Sequence, residues 1–165
     1  MRIDSSFEKE LLDSANRFDS NVLTVIYDRY KNGIYTYSLR LLGEPDLAEE
    51  CVAETFSRFL RALYKGLGPK DHLQAYLYRI AHNWIADNYR SRTTLSTDLD
   101  ENLADEERPS LPQSLDKEIE QARMRAALRR LTDEQRQVIA LRFLEGWEYE
   151  EVAAALNKSV DSIRS

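Results

Sequence analysis

Several residue types that would support common protein functions are scarce in this chain of 165 residues. Cys51 is its only cysteine, so no disulfide can form within the chain, and a reducing cytoplasm is the expected location. The two histidines, His72 and His82, have no cysteine or carboxylate cluster beside them at metal-ligand spacing, which argues against a metal site. Because a phosphate-cradling glycine loop and a nucleophile motif are also missing, we expect neither an enzyme nor a cofactor.

Long apolar runs and strand-forming patterns are also missing. No run approaches the roughly 20 apolar residues that span a bilayer, so membrane insertion is not expected. Residues 1–14 lack the apolar centre of a secretory signal, so none is expected. Only five glycines and four prolines interrupt the chain, and no segment alternates polar and apolar residues over a sustained length. The sequence therefore predicts an all-α fold.

The negative charge of the chain is unevenly distributed. A net charge of −6 would disfavour binding to nucleic acid if it were spread evenly. Residues 61–92 instead carry a net charge of +4, whereas residues 93–116 carry −6. A concentrated basic segment is typical of a nucleic-acid interface, so residues 61–92 are the segment to examine.

Residues 71–92 predict one helix with two chemically different sides. One side is an apolar stripe formed by Leu73, Tyr76, Leu77, Ile80, Ala81, Trp84 and Ile85. The opposite side collects cations, aromatic rings and an amide, and consists of Tyr78, Arg79, His82, Asn83, Ala86, Tyr89 and Arg90. Cations bind phosphates, aromatic rings stack on unpaired bases and Asn can bind a base edge, so this side predicts binding of single-stranded nucleic acid. A solvated polar face is the alternative.

Three further helices are predicted upstream, over residues 7–18, 20–42 and 47–64. Asp19 or Ser20 is the expected cap of the second, and Gly43 to Asp46 the turn that starts the third with Asp46 as its cap. The third helix carries a row of acidic residues at intervals of four, namely Asp46, Glu50 and Glu54. Like charges at this spacing repel and weaken an isolated helix. The row is either ordinary surface acidity, which is common, or a docking strip for a basic partner surface.

Residues 93–116 are acidic, contain two prolines and have few large apolar side chains. This composition predicts a flexible linker that divides the chain into helical domains over residues 1–92 and 117–165. An acidic segment resembles a nucleic-acid backbone in charge, so in the free protein it could shield the basic helix.

The second domain ends in a predicted helix-turn-helix. Thr132 and Gln135 form a capping box at the start of a helix that is expected to end at Gly146. A short helix over residues 148–156, a turn at Asn157 and Lys158, and a last helix over residues 159–165 complete the motif. Asn157 tolerates a positive φ, so the turn is expected to form.

Three segments together resemble the extracytoplasmic-function (ECF) group of the sigma-70 family of RNA polymerase sigma factors. Residues 46–62 resemble the polymerase-docking helix of region 2, and residues 72–92 resemble its promoter-melting helix. Residues 128–165 resemble region 4, which contains the helix-turn-helix. The resemblance implies a promoter-specificity subunit that binds RNA polymerase core and promoter DNA, directs transcription initiation, and is a candidate for control by an anti-sigma factor.

The resemblance also implies a role for particular residues. Polymerase core would bind Asp46, Glu50, Glu54 and Arg58. The loop over residues 66–71 would hold a flipped base of the −10 element, and the contacts to that element would come from Lys70, Asp71, Arg79, His82, Asn83, Tyr89, Arg90 and Arg92. The −35 duplex would contact Arg136, Arg142, Ser159, Asp161, Ser162, Arg164 and Ser165. Family members continue beyond the helix that starts at Ser159, so a domain truncated at its C-terminus is expected.

Two other functions remain open on the residues alone. A stand-alone helix-turn-helix regulator would bind duplex DNA without polymerase, and a helical adaptor would bind only protein. A promoter-specificity subunit should need polymerase core to bind DNA tightly, so comparing DNA binding with and without core distinguishes all three functions.

Overall fold

The structure is a computed structural model that describes residues 5–95 and 113–164, with side chains described for residues 8–91 and 116–164. Across these ranges every regular element is helical and no strand occurs, which confirms the all-α prediction. No helix in the described ranges combines the length and the apolar character needed to cross a bilayer.

Four helices form the first unit. They are α1 (Ser5–Asn16), α2 (Ser20–Leu42), α3 (Pro45–Tyr64) and α4 (Leu73–Leu95). Their apolar sides meet in one core, in which the largest fully buried side chains include Leu12, Ile26, Ile34, Tyr37, Leu41, Phe59, Leu77 and Ile85. The apolar stripe predicted for residues 71–92 supplies the α4 part of this core, with Trp84 only partly buried against it.

The turns of this unit follow local chemistry. The Asp19 carboxylate accepts a hydrogen bond from the Asn21 backbone N–H at 3.0 Å, which confirms the cap of α2. Gly43 ends α2 with a φ of 76°, a conformation that glycine adopts without steric cost. The prediction that Asp46 caps α3 is wrong, because the helix begins at Pro45 and Glu44 is the capping position. Proline is suited to a first helical position, where no N–H is needed for the helix ladder.

The second unit consists of α5 (Gln113–Arg129), α6 (Asp133–Ile139), α7 (Tyr149–Leu156) and α8 (Val160–Arg164). The capping box of Thr132 and Gln135 is present at the start of α6, as predicted. One π-helical turn, Ala140–Leu144, follows α6 before the chain bends at Gly146, so α6 is shorter than predicted. Its buried apolar residues continue the core of the first unit, and they are Leu128, Ala140, Leu141, Trp147, Val152 and Ala155.

The helix-turn-helix is formed by α7 and α8. Asn157 ends α7 with φ 57° and ψ 46°, which confirms that asparagine can make this turn. The Ser159 hydroxyl accepts a hydrogen bond from the Ser162 backbone N–H at 3.3 Å and so caps the short helix α8.

The two units pack against each other. Helix α7 lies along α4, and α5 lies at the end of α2. The approach at α2 is close: a Cβ placed on Gly43 would come within 2.6 Å of Arg125 Nε. This packing decides which of the candidate site residues reach solvent.

Candidate nucleic-acid and polymerase interfaces

The acidic row on α3 is divided into two parts. Asp46 and Glu50 are exposed. The Glu54 carboxylate accepts hydrogen bonds from Arg58 Nε at 3.2 Å and from Arg61 Nη2 at 3.1 Å. Two arginines of the same helix therefore partly balance the charge of Glu54. The negative charge that this row presents to solvent lies mainly at Asp46 and Glu50, in its N-terminal half.

A cleft of about 750 Å3 lies between the loop before α4 and the helix-turn-helix. The first unit lines it with Lys70, Asp71 and Arg79, and the second unit lines it with residues 157–160. The Arg79 guanidinium lies 5.5 Å from the centre of the Tyr76 ring, a cation–π distance that holds it at the cleft wall. The structure thus brings predicted −10 and −35 contacts to opposite walls of one cleft.

The predicted nucleic-acid side of α4 is only partly exposed. Asn83 and Arg90 reach solvent, but Tyr78, His82 and Tyr89 are buried under the second unit. The expectation that the whole side is open to a strand is therefore wrong for this arrangement. The roles of these residues toward DNA stay predictions.

His82 is a contact between the two units and is only 1% exposed. Its Nε2 lies 3.1 Å from the Asp133 carbonyl oxygen, and its Nδ1 lies 2.8 Å from Tyr37 Oη. A carbonyl oxygen can only accept, so Nε2 carries the proton and Nδ1 accepts from the Tyr37 hydroxyl. Burial, with the nearby Arg136 charge, lowers the pKa of His82 from 6.5 to about 4.

Arg136 is also buried, at 3% exposure, and the prediction that it holds a DNA phosphate does not fit this position. Its guanidinium donates to the carbonyl oxygens of Leu128 at 3.1 Å and Leu131 at 3.2 Å. It also stacks 4.7 Å from the centre of the Tyr89 ring. Arg136 therefore supports the second unit and its contact with α4.

Asp133 joins the two units through its carboxylate. It accepts from Arg90 Nη1 at 2.5 Å and from Arg136 Nη1 at 3.1 Å, while Arg90 also donates to Asp87 at 2.6 Å. Partial burial opposes the charge of Asp133, but the hydrogen bonds from both arginines outweigh burial and lower its pKa.

A second ion pair crosses between the units, from Arg40 Nη1 to Glu145 Oε1 at 2.8 Å. Arg40 also donates to the Leu144 carbonyl oxygen at 3.2 Å. Burial of Glu145 raises the pKa of this carboxyl group, and the charge of Arg40 partly counteracts the rise. Sequence reasoning missed both residues, because only the tertiary fold brings them together across more than a hundred positions of the chain.

The candidate −35 contacts lie mostly on the exposed side of α8. Ser159, Asp161, Ser162 and Arg164 are exposed. Arg142 is partly buried, donates to the Trp147 carbonyl oxygen at 3.3 Å and stacks 4.8 Å from the centre of the Tyr149 ring. The side chain of Arg92 and the whole of Ser165 lie outside the described residues, as do linker residues 96–112.

Two exposed apolar groups were also missed by sequence reasoning. Phe143 is 71% exposed with Ile139 beside it on the preceding turn, and Tyr64 is 83% exposed with Leu67 nearby in the chain. Ile139, Phe143 and Tyr64 occur at helical positions where apolar residues are usually buried, so the sequence carries no signal that separates them from core residues. Leu67 lies in the loop that follows α3. No cluster of metal-ligating side chains occurs in the described part of the chain.

Comparison with known proteins gives two matching family models. Residues 26–94 match sigma-70 region 2, and residues 121–165 match sigma-70 region 4. Helix α3 and all of α4 but its last residue lie within the first match, and the helix-turn-helix lies within the second.

Individual relatives match over most of the chain. The chain is 32% identical to the ECF RNA polymerase sigma factor EcfG of Rhodopseudomonas palustris over 129 residues, which cover 78% of this chain and 70% of EcfG. It is 30% identical to the ECF RNA polymerase sigma factor BldN of Streptomyces coelicolor over 164 residues, which cover 98% of this chain but only 62% of BldN. Among solved structures, CnrH in complex with the cytosolic domain of CnrY superposes with a TM-score of 0.63 at 23% identity, over 95% of this chain and 87% of that one.

Proposed function

The chain belongs to the ECF group of RNA polymerase sigma factors in the sigma-70 family, and from this premise we propose how its parts act in transcription initiation. The first unit, over residues 1–92, binds polymerase core and the −10 element, and the second, over residues 117–165, binds the −35 element. The observation that carries this proposal is the order of matched regions along the chain, with an acidic docking helix, a cationic and aromatic helix, and then a helix-turn-helix. No catalytic step belongs to this function.

Core binding is proposed on the exposed side of α3. Asp46 and Glu50 are free to attract a basic surface, whereas Glu54 is already engaged by Arg58 and Arg61. We therefore assign the main attraction to Asp46 and Glu50. Glu54, whose charge Arg58 and Arg61 balance, has a supporting role. Such exposed charges act mainly on the rate and specificity of association and weaken with salt.

Binding of the melted −10 strand is proposed along α4 and its preceding loop. Lys70 and Arg79 on the cleft wall supply positive charge for phosphates, and exposed Asn83 can bind a base edge. Unstacking a base costs a few kcal/mol, and aromatic stacking with hydrogen bonds can recover that cost. Tyr89 can contribute such stacking only after the second unit has moved away from it.

Binding of the −35 duplex is proposed for α8. Its exposed Ser159, Ser162 and Arg164 can approach base edges, with the N-terminal end of the helix leading into the major groove. The Arg164 guanidinium lies 5.1 Å from the centre of the Tyr149 ring, which orients it before DNA arrives. Arg142, which is partly exposed, is the other arginine that we assign to the −35 duplex.

The proposed partners are polymerase core and promoter DNA, and the proposed location is the cytoplasm, where both are found. CnrH, which shares this fold, is held by the cytosolic domain of another protein, CnrY. A comparable protein domain acting as an anti-sigma factor is therefore a candidate third partner for this chain.

Selection of DNA from a random duplex pool tests the proposed function. The chain, polymerase core of the source organism, and both together are each incubated with the pool, and bound sequences are read. We expect two paired motifs at a fixed spacing only when both proteins are present. Equal enrichment by the chain alone would indicate a stand-alone regulator, and no enrichment in any sample would indicate an adaptor.

A further inference from the structure

Helix α1 and the turn after it contact the loop over residues 66–71 and the helix ends on both sides of it. At the α4 end, the Glu8 carboxylate accepts a hydrogen bond from the Gln74 backbone N–H at 3.0 Å. The first N–H groups of a helix have no partner within it, and a negative charge beside them interacts favourably with the helix dipole. Glu8 therefore caps α4 from a position 66 residues earlier in the chain.

The middle of the loop packs against the last residue of α1. Asn16 Nδ2 donates a hydrogen bond to the Pro69 carbonyl oxygen at 3.4 Å. A Cβ added to Gly68 would lie only 2.7 Å from Asn16 Oδ1 and would also overlap the side chain of Leu63. Because glycine has no Cβ, the backbone of the loop can approach Asn16 and Leu63 this closely. The loop is therefore fitted to α1 at its centre.

The turn after α1 adds a third contact, at the end of α3. The Phe18 ring packs edge-on against the ring of Tyr64, with ring centres 6.2 Å apart. Phe18 has a φ of 61°, a left-handed conformation that is unusual for an aromatic residue. Such conformations persist where surrounding contacts fix them, and they are concentrated at functional sites. Residues 8–18 thus hold the loop at its centre and at both of its ends.

These contacts leave other side chains of the loop open to a ligand. Leu67, Lys70 and Asp71 are exposed, and they line the cleft described above. Helix α1 ends before the match to sigma-70 region 2 begins at residue 26. The conformation of a loop that we assign to the melted −10 strand therefore depends on a segment outside the matched region.

We propose that residues 8–18 position the loop over residues 66–71 and so determine which base it accepts at the flipped position of the −10 element. The inference deepens the proposed function and rests on it, because it needs this loop to hold a base. Glu8 and Asn16 are positioning residues, whereas the loop itself touches the base. A loop that is already ordered loses less conformational entropy when a base binds, and its fixed polar groups disfavour a base that leaves them unpaired.

Repeating the DNA selection with variants of the full chain, each mixed with polymerase core, tests this proposal. Glu8→Ala removes the cap of α4. Asn16→Asp keeps the size of the side chain but replaces the N–H donor with an oxygen that repels the Pro69 carbonyl oxygen. Glu8→Gln retains an oxygen that can accept from the Gln74 N–H. Glu10→Ala is the matched control, because it removes an exposed carboxylate of the same helix that none of these contacts uses.

We expect Glu8→Ala to lower the enrichment of the preferred base about threefold to tenfold at one −10 position, the range for loss of a helix cap. Asn16→Asp should have a smaller effect at the same position, because its hydrogen bond is longer. The other −10 positions and the −35 motif should keep their native enrichment, a pattern that a general loss of stability would not produce. Glu8→Gln and Glu10→Ala should match the native chain.

Three results would overturn the proposal. They are native enrichment at every position with both test variants, a loss spread equally over both motifs, and a loss in Glu8→Gln or Glu10→Ala equal to that in Glu8→Ala. The last of these would show an effect of charge alone. Absence of paired motifs with the native chain would instead contradict the proposed function itself, so the two failures are distinguishable.

Discussion

Several side chains in this protein could bind either nucleic acid or other parts of the protein, and the tertiary packing determines which partner they contact. His82, Tyr89 and Arg136 are residue types that bind nucleic acid, yet in this structure all three bind protein groups. Their polarity suits a buried contact between units as well as it suits a DNA strand. Sequence periodicity could place two of them on one side of α4, but it could not say what covers that side.

Acid should destabilise the protein through His82, which is buried between the two units. The pKa of His82 is lowered from 6.5 to about 4 in this structure, so the unfolded chain binds a proton more readily than the folded chain. Stability from this group is full above pH 6.5 and is lost as the pH falls from 6.5 toward 4. We expect the urea midpoint to fall over this window.

His82→Gln separates this effect from the titration of carboxylates. The variant has no ring to protonate, so its urea midpoint should depend less steeply on pH between 6.5 and 4 than that of the native chain. Parallel pH profiles for the two proteins would contradict the assigned role of His82.

Asn157 should be replaceable by glycine but not by alanine. Its φ of 57° lies in the left-handed region, which costs an alanine roughly 1–2 kcal/mol and costs glycine nothing sterically. We expect Asn157→Ala to lower the thermal midpoint and Asn157→Gly to retain or raise it. A midpoint lowered by both variants would show that the Asn157 side chain, and not its backbone conformation, stabilises the turn.

At the scale of whole elements, charge patterns on single helices are altered by local pairing. The sequence presents Asp46, Glu50 and Glu54 as one row, but Arg58 and Arg61 bind only the last of them. Reversing Glu54 would therefore release two arginines as well as change a charge. The N-terminal half of α3 gives the cleaner test.

Reversal of Glu50 to lysine should weaken binding to polymerase core about fivefold at low salt, because an exposed attraction of this kind becomes a repulsion. The loss should shrink as salt rises. Asp28→Lys, which also reverses one negative charge at an exposed position of α2, is the control and should bind core normally. Surface-plasmon resonance with immobilised core measures both, and unchanged affinity of Glu50→Lys at low salt would remove α3 from the docking surface.

Helix α4 offers a test of strand binding that leaves the contact between units intact. Arg90 both binds Asp133 and is assigned to DNA, so its substitution would change two things at once. Asn83 is exposed and is assigned to the strand alone. We expect Asn83→Ala to reduce permanganate reactivity of thymines in the −10 region while closed-complex formation changes little.

Asn32→Ala, which removes another exposed asparagine from a helix of the same unit, is the control for this measurement. It should leave promoter opening unchanged. Normal opening with reduced duplex binding by Asn83→Ala would show instead that α4 binds double-stranded DNA.

At the scale of the whole molecule, local sequence signals predicted the helices but not how the two units pack together. Helical periodicity, the cap at Asp19 and the capping box at Thr132 give helices close to those observed, because these signals act within a few residues. The packing of the second unit on the first includes contacts such as that of Arg40 on α2 with Glu145, which no local pattern encodes. The described structure also shows the second unit covering part of α4. Shielding of the basic helix by the acidic linker stays a prediction, because residues 96–112 lie outside the described ranges.

The most direct test of the account is run-off transcription from a promoter obtained by the DNA selection described above. The template is offered to polymerase core alone, to this chain alone, and to both together. The account predicts a discrete transcript, with permanganate-reactive thymines at the −10 motif, only when both proteins are present. Tight and specific binding of the template by the chain alone, with no transcript when core is added, would contradict it.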